Sequence, residues 1–463
     1  MICARSLAFL FLLTAFTVSV GHSQKTVRTG LIFSFQVKTD VQTDTFPALL
    51  TNKEWDKGKP ISLESNSNFG LTLTSGVRSG WSIFLQPNGA LGWNIGDEKN
   101  RLDYLPTGKR RINDGRWHQI DCLYDTTQSV MWLWLDGQHL TTYNYKNLGL
   151  TTQQIEQDVR DLSGKDIRIR RFRQKTSFFP TVDYPSLSTE PIRVVNWNIW
   201  HGGRHNGSRK GVEEVIGHLR GQYPDIICLQ ETYGSGPAIA DSLGLTFYYI
   251  STNLSILSHL PFEEVYNGWD SFRFGGARLA VSDTQSIAVF DIWLNSSPST
   301  DRMLREKMPL GTFMAQEMKT RGREMLLAHE AIRVLGLPDQ LPRLVAGDFN
   351  SASHLDWTMR TAWRYNGMAV PWPASRTMAR EGYIDVWRTL HPDETRERGV
   401  TWSPRFKDEL QYRIDYIYAD SQYWIPLEST ILGYQEGMRW PSDHCMVTAV
   451  LQLTSPKTSN LRP

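Results

Sequence analysis

The sequence predicts two domains in tandem, an all-β sandwich followed by an α/β unit, and three observations carry that prediction. A chain of 463 residues is longer than one ordinary core accommodates. From about Thr26 to Arg173, short alternating runs are broken by Gly, Asn and Asp, with no helical period before about Thr151. From Ile192 onward, apolar β-branched runs alternate with amphipathic stretches instead.

Residues 1–23 read as a secretory signal. Arg5 supplies the positive end, Leu7 to Val20 is apolar, and Gly21 and Ser23 give small residues before Gln24. The apolar run is too short to span a bilayer. No later run is long and apolar enough for a transmembrane segment, so the expectation is a soluble protein that is secreted, periplasmic or held at the cell surface. Cys3 leaves with the signal, and Cys122, Cys228 and Cys445 each sit in an apolar run that favours buried free thiols. The net charge of +2 does not announce a polyanion binder, so attraction for a phosphate has to be local. Most of the 17 tryptophans fall at strand-like positions and read as core.

The first domain, residues 24–173, offers strands at Leu31–Val37, Gly70–Thr74, Trp81–Leu85, Ala90–Ile95, His118–Tyr124 and Val130–Leu135. Asn113-Asp114-Gly115-Arg116-Trp117-His118, followed by Leu133-Trp134-Leu135-Asp136-Gly137, resembles the laminin G-like, or concanavalin-like, family. That resemblance implies a jelly-roll sandwich in which Asp136-Gly137 turns a hairpin and Trp117 and His118 are structural. It leaves function open, with a glycan as one expected partner. Residues 174–191, rich in Ser and Thr with Pro180, Pro185 and Pro191, read as a linker at which the domains separate.

In the second domain, residues 192–455, Gly211–Gln222 is an amphipathic helix feeding an apolar strand at Asp225–Gln230. Further strands are expected at Leu254–Leu257, Leu279–Val281, Ile287–Leu294, Leu341–Ala346, Arg413–Ala419 and Cys445–Leu453. Leu304–Leu335 reads as helix, broken near Gly311 and Gly322.

Five short polar motifs border these apolar runs. They are Asn196-Trp197-Asn198, Cys228-Leu229-Gln230-Glu231-Thr232, Gly347-Asp348-Phe349-Asn350, Arg413-Ile414-Asp415-Tyr416 and Ser442-Asp443-His444. Each supplies a carboxylate, an amide or an imidazole, the donors that suit hard cations such as Mg²⁺ or Mn²⁺. A phosphate ester resists attack by virtue of its own charge, so an enzyme must neutralise that charge, activate water and protonate the leaving oxygen. The five motifs in this order resemble the endonuclease/exonuclease/phosphatase superfamily, which includes deoxyribonuclease I. The resemblance implies a four-layer α/β/β/α sandwich with its site at one sheet edge. It implies that Glu231 is the principal metal ligand, that Asn198 supports the metal, and that Asp443 is a further ligand. Asp348 orients or deprotonates water and Asn350 stabilises the phosphoryl oxygens. Asp415 fixes the tautomer of His444, which acts as general acid/base or as a cation on the phosphate.

One departure stands out. The family places a His or Tyr on the strand before the long helix, where this chain has Trp293 within Phe290-Asp291-Ile292-Trp293-Leu294-Asn295. An indole cannot shuttle a proton. Asp291, Asn295, His201, His205 and His259 are the candidates to replace it, and Trp293 and His201 join Arg278 as candidate substrate contacts. Arg204, Arg209 and Lys210 form a basic cluster that reads first as a solvated loop and second as a hold on an extra phosphate. The sequence therefore predicts a secreted, metal-dependent phosphoesterase with a lectin-like targeting domain. Its substrate is expected to be a nucleic acid, a phospholipid or a small phosphate ester. The alternative is a glycan- or matrix-binding protein with a weakened phosphatase-like domain.

Overall fold

The computed structural model describes residues 28–53, 63–66, 70–73, 79–97, 99–178 and 190–454. The signal reading for residues 1–23 and most of the expected linker lie outside the described residues.

The N-terminal part is an all-β sandwich. One layer is a five-stranded sheet in the order Arg160–Asp161, Ala48–Thr51, Gly80–Leu85, Leu91–Gly96, Arg101–Tyr104. The other contains the antiparallel strands Ile167–Phe178, Arg28–Thr39, Trp117–Asp125, Val130–Leu135 and Gln138–Asn144. Alternation explains the core between them: Phe33, Phe35 and Val37 point inward, and Ser34, Gln36 and Lys38 do not. Aromatic rings bridge the layers, Phe33 to Trp81 at 4.9 Å and Trp81 to Tyr124 at 5.3 Å, and Trp93 Nε1 donates to the Tyr124 hydroxyl at 2.7 Å. His118 is structural, held between Asp136 at 2.7 Å and Asp114 at 2.9 Å. Asp136 and Gly137 take φ of 52° and 81°, as the hairpin turn there requires.

The C-terminal part stacks helices, sheet, sheet and helices. A six-stranded sheet runs Phe262–Asn267, Phe274–Ala280, Ser286–Trp293, Arg343–Asp348, Asp415–Asp420, Tyr383–Asp385. It faces the strands Ile192–Asn198, Ile226–Gln230, Ser255–Ser258 and Met446–Leu453 across a core of Val194, Ile226, Cys228, Ile256, Leu279, Val289, Leu344 and Ile417. Helices Lys210–Arg220 and Gly236–Leu243 cover one outer face, while Arg323–Val334 and Pro373–Arg380 cover the other. Helical structure runs from Thr300 with an interruption between Arg305 and Leu310, just before the expected Gly311; at Gly322 it does not break but continues through a π-helical turn, Met318–Gly322. Cys122, Cys228 and Cys445 are buried free thiols. No described helix is long and apolar enough to cross a membrane.

The expectation of two units joined only by a linker needs correction. Strand Gln138–Asn144 of the sandwich pairs in parallel with Thr246–Tyr249, so one eleven-stranded sheet runs through both parts. Side chains reinforce the seam: Thr141 Oγ1 donates to Phe247 O, Thr246 Oγ1 to His139 O and Asn144 Nδ2 to Ile250 O, each at 3.0 Å. Trp132 and Trp134 of the sandwich belong to the core between the two C-terminal sheets. A linker in the sequence says nothing about sheet edges, and an unpaired edge has every reason to find a neighbour. The strand Ile167–Phe178 also continues past residue 173, into the stretch expected to be linker. It is the far edge of the long sheet, and its exposed Arg168, Arg170, Arg171, Arg173 and Lys175 discourage pairing with another chain.

A fragment beginning at Glu190 would bare the Thr246–Tyr249 edge and the face that Trp132 and Trp134 cover. It is expected to aggregate or to melt well below the full chain, which should melt in one transition. Gel filtration and calorimetry read both. A monomeric fragment with the full chain's Tm would show that the shared sheet contributes nothing.

Candidate active site

Register alone brings the five motifs to one end of the two facing sheets. Asn198 pairs with Gln230 in adjacent parallel strands, so Glu231 leaves the sheet beside it. In the facing sheet, Trp293 is opposite Asp348 and Asp348 is opposite Asp415. His444 lies two residues before the strand Met446–Leu453, which is antiparallel to Ile192–Asn198. Beneath them the sheets are tied by polar groups: Asn196 Nδ2 donates to Gly347 O at 3.0 Å, and Gln230 Nε2 donates to Asn196 Oδ1 at 2.8 Å and Asp291 Oδ1 at 2.7 Å. Gly347 is required there, since a Cβ would lie 2.0 Å from Ile292 O.

The cluster is dense and largely dry. Asn198 Nδ2 donates to Glu231 Oε1 at 3.2 Å and to Asp348 Oδ2 at 3.1 Å. Asn350, at φ 47°, donates its backbone N–H to Asp348 Oδ1 at 2.9 Å and its amide to Asp348 Oδ2 at 3.2 Å and Leu294 O at 2.9 Å. His444 Nδ1 meets both oxygens of fully buried Asp415, at 3.0 and 3.1 Å. Its other nitrogen faces Asp348 at 3.8 Å and Asp443 at 3.9 Å. Burial alone would lower the His444 pKa, but Asp415 and Asp348 outweigh it and hold the ring protonated well above the usual imidazole range. Taking one partner from such a buried pair costs about 3–5 kcal/mol.

The donor set fits a hard divalent cation. Burial pushes Asp443 up to about 7, against the pull of His444 and assisted by Glu231, and Asp443 Oδ1 is buried with no hydrogen-bond partner. Asp348 is raised by the same desolvation. Asp348 and Asp443 share the single cation His444, and the unpartnered Asp443 oxygen is the one left uncompensated. Asp348, Asp415 and His444 offer ligand atoms within 4.8 Å of one another. Glu231, Asn198 and Asp443, the last with an unpartnered oxygen, could hold the cation beside that group.

Four expected residues fall differently. Arg278 is not at the cluster: it pairs with Ala288, well along the strand from Trp293, and is held by Glu263 and Glu264 at 2.9 Å each. His259 lies at the opposite end of its strand, beside Asp225, because it follows Ser258, which pairs with Ile226 rather than with the Glu231 end. Asp291 is fully buried under Gln230, and Asn295 is engaged in its own turn, so neither takes the vacant histidine role. His201 does reach the rim: its backbone N–H donates to Glu231 Oε2 at 3.0 Å, and its largely exposed ring brings Nε2 to 3.9 Å from the same oxygen. The half-buried Trp293 indole borders Asp348 and packs against Phe272 at 5.7 Å, with the Arg273 guanidinium 5.4 Å away.

Several supporting residues were not legible in the sequence. Asn253 Oδ1 accepts the Glu231 N–H at 2.8 Å, fixing the left-handed turn at φ 54°. Thr401 Oγ1 accepts the N–H groups of Ile414 and Asp415, and Trp402 packs 5.0 Å from the His444 ring. Trp440 Nε1 donates to His444 O at 2.8 Å. Arg413 is fully buried and bridges Asp356 and Asp385, which anchors the strand carrying Asp415. Of these, Arg413 alone lies within one of the five motifs.

Comparison with known proteins matches residues 195–444 to the Endonuclease/Exonuclease/phosphatase family. An uncharacterized protein of Caenorhabditis elegans is 23% identical over 310 residues, covering 56% of this chain and 90% of its own length. An AP endonuclease from Archaeoglobus fulgidus is 19% identical, with 56% of this chain and 98% of that chain covered and a TM-score of 0.41. The human Nocturnin catalytic domain with bound sulfate is 15% identical, with 59% and 97% covered and a TM-score of 0.40. The family match spans more than half of the sequence and contains every residue of the cluster described above, and this chain belongs to the endonuclease/exonuclease/phosphatase family.

Proposed function

We propose that this protein is a divalent-metal-dependent phosphoesterase, hydrolysing a phosphodiester or a phosphomonoester. The single observation that carries the reading is the array in which Asp348 and the buried Asp415–His444 pair face each other beside Glu231, Asn198 and Asp443. Glu231, Asn198 and Asp443 would hold Mg²⁺ or Mn²⁺, and the bound ion would neutralise charge on the phosphoryl oxygens. Asp348 takes a proton from the attacking water, and Asn350 holds Asp348 in place and faces the phosphoryl group. Protonated His444, kept so by Asp415, gives its Nε2 proton to the leaving alkoxide as the phosphorus–oxygen bond breaks. Trp293 then lines the site without moving a proton.

The N-terminal sandwich is proposed to be laminin G-like and to target the enzyme to a surface glycan. Residues 1–23 are proposed to direct secretion. The weakened-enzyme alternative draws on Trp293 alone. Metal binding without turnover of any phosphate ester would favour it.

Chelation should abolish hydrolysis of bis-p-nitrophenyl phosphate, and Glu231→Gln should lower it with partial recovery at high Mn²⁺. His444→Ala and Asp348→Asn should each cost about 10²-fold or more in kcat. Near-full activity in His444→Ala would remove this site from consideration.

A second test uses pH. A carboxylate whose folded pKa is raised binds more protons folded than unfolded, so its contribution to stability falls as pH rises between its ordinary value and the raised one. For Asp443 that window runs from 3.8 to about 7, and Asp348 shifts in the same direction. A cation offsets the penalty only where the carboxylates are ionised. The rise in Tm produced by Mg²⁺ or Mn²⁺ should therefore be larger at pH 7.5 than at pH 5, and should shrink in Asp443→Asn. An equal rise at both pH values would exclude these groups as the holders of the ion.

A further inference from the structure

Beside the catalytic cluster lies a second cavity of about 320 Å³, open to solvent. Lys210, Arg405 and Arg439 line it together with Asn206, Glu214 and Trp440. Three segments meet there, and each also serves the catalytic cluster. Asn206 and Lys210 follow the strand that ends in Asn198, Arg405 follows Trp402, and Arg439-Trp440 precedes Asp443-His444.

Aromatic side chains connect the two sites. The Trp200 N–H donates to Asn198 Oδ1 at 3.0 Å, and its indole lies 5.9 Å from the Arg405 guanidinium. Phe406 packs nearby, 6.1 Å from Trp200 and 6.0 Å from Trp402. On the other side, Trp440 Nε1 holds the His444 carbonyl.

The charge of the cavity is opposite to that of the cluster. Three cations face one carboxylate, Glu214. One Glu214 oxygen is engaged by Asn206 Nδ2 at 2.7 Å, and the other lies 3.7 Å from Arg439 Nη1. Arg405 Nη1 is shielded from water and has no hydrogen-bond partner. A guanidinium N–H left in that state is costly, and the group that best relieves it is an anionic oxygen. The helix Lys210–Arg220 also opens at this cavity with no side-chain cap, adding the positive end of its dipole. Of the basic cluster seen in the sequence, Arg204 donates to Tyr233 O and Arg209 pairs with Glu213, so Lys210 is the member given to the cavity.

We infer that this cavity is a second phosphate subsite, which binds a phosphate group on the same substrate molecule as the scissile ester. This rests on the phosphoesterase reading and narrows it. The preferred substrate carries at least two phosphates, separated by a unit able to lie along Trp200 and Phe406. The second phosphate belongs either to the backbone of a nucleic-acid strand or to the distal position of a small polyphosphorylated ester.

Binding is tested first, on the full chain in EDTA. Without metal, the carboxylates of the cluster repel anions, so inorganic phosphate titrated calorimetrically reports the cavity. Wild type should bind, and Arg405→Gln and Lys210→Gln should each weaken binding by about 10-fold. No binding to wild type at about 20 mM phosphate, or equal binding by the variants, overturns the subsite. Turnover is tested second, with a dinucleotide against its 5′-phosphorylated form, and glycerophosphoinositol against its ring-phosphorylated form. The added phosphate should lower KM in one pair with kcat little changed, and Arg405→Gln should erase that gain while leaving the unphosphorylated member unaffected. The pair that responds identifies the source. A KM gain that survives Arg405→Gln, or no gain in either pair, overturns the proposal. Arg405-dependent phosphate binding with no hydrolysis of any substrate would instead sink the reaction and leave the subsite standing.

Discussion

Four carboxylates converge on one largely dry corner of this protein, and the arrangement around them follows from that constraint. Glu231, Asp348, Asp415 and Asp443 come from separate segments, and His444 is the single side-chain cation inside the cluster. Like charges this close repel, and burial strengthens the repulsion by removing water. The fold answers in two ways. It commits Asp415 wholly to His444, and it gives Asp348 three donors from Asn198 and Asn350. What remains uncompensated is on Asp443, whose unpartnered oxygen defines where positive charge is missing.

Holding such a cluster requires a stiff frame. The frame is the pair of facing sheets, joined below the site by the Asn196, Gln230 and Asp291 hydrogen bonds and locked by the backbone approach at Gly347. A second buried network, Arg413 and Arg388 on Asp356 and Asp385, fixes the strand that delivers Asp415. Neither network touches the Asp348–His444 contact. Each sets the position of a strand end, and therefore of a carboxylate, to within a hydrogen-bond length.

The same sheet extends beyond the enzyme part. The parallel pairing of Gln138–Asn144 with Thr246–Tyr249 gives the catalytic sheet a neighbour where it would otherwise end. The edge is moved to Ile167–Phe178, a strand studded with arginines. The N-terminal sandwich is thus a structural extension of the catalytic sheet as well as a candidate for targeting. The contrast in charge across Trp200, carboxylates on one side and Lys210, Arg405 and Arg439 on the other, gives the active site a polarity that net charge conceals.

The sequence by itself determined the elements and the family. Alternation marked Trp81–Leu85 and Val130–Leu135 as strands, the helical period marked Gly211–Gln222, and the five motifs placed Glu231, Asp348, Asp415 and His444 at strand ends, because local patterns report local geometry. Only the tertiary structure decided what those ends meet. Arg278 looked like a substrate contact, but strand register takes it away from the site and gives it to Glu263 and Glu264. Asn253, Trp440 and Arg405 carry no motif, and each matters through a partner distant in sequence. The union of the two parts was equally hidden. A strand's side chains are written in its own alternation, but the partner of its backbone edge is chosen by which other edge the fold leaves open, and backbone N–H and C=O groups are the same in every residue that could have offered one.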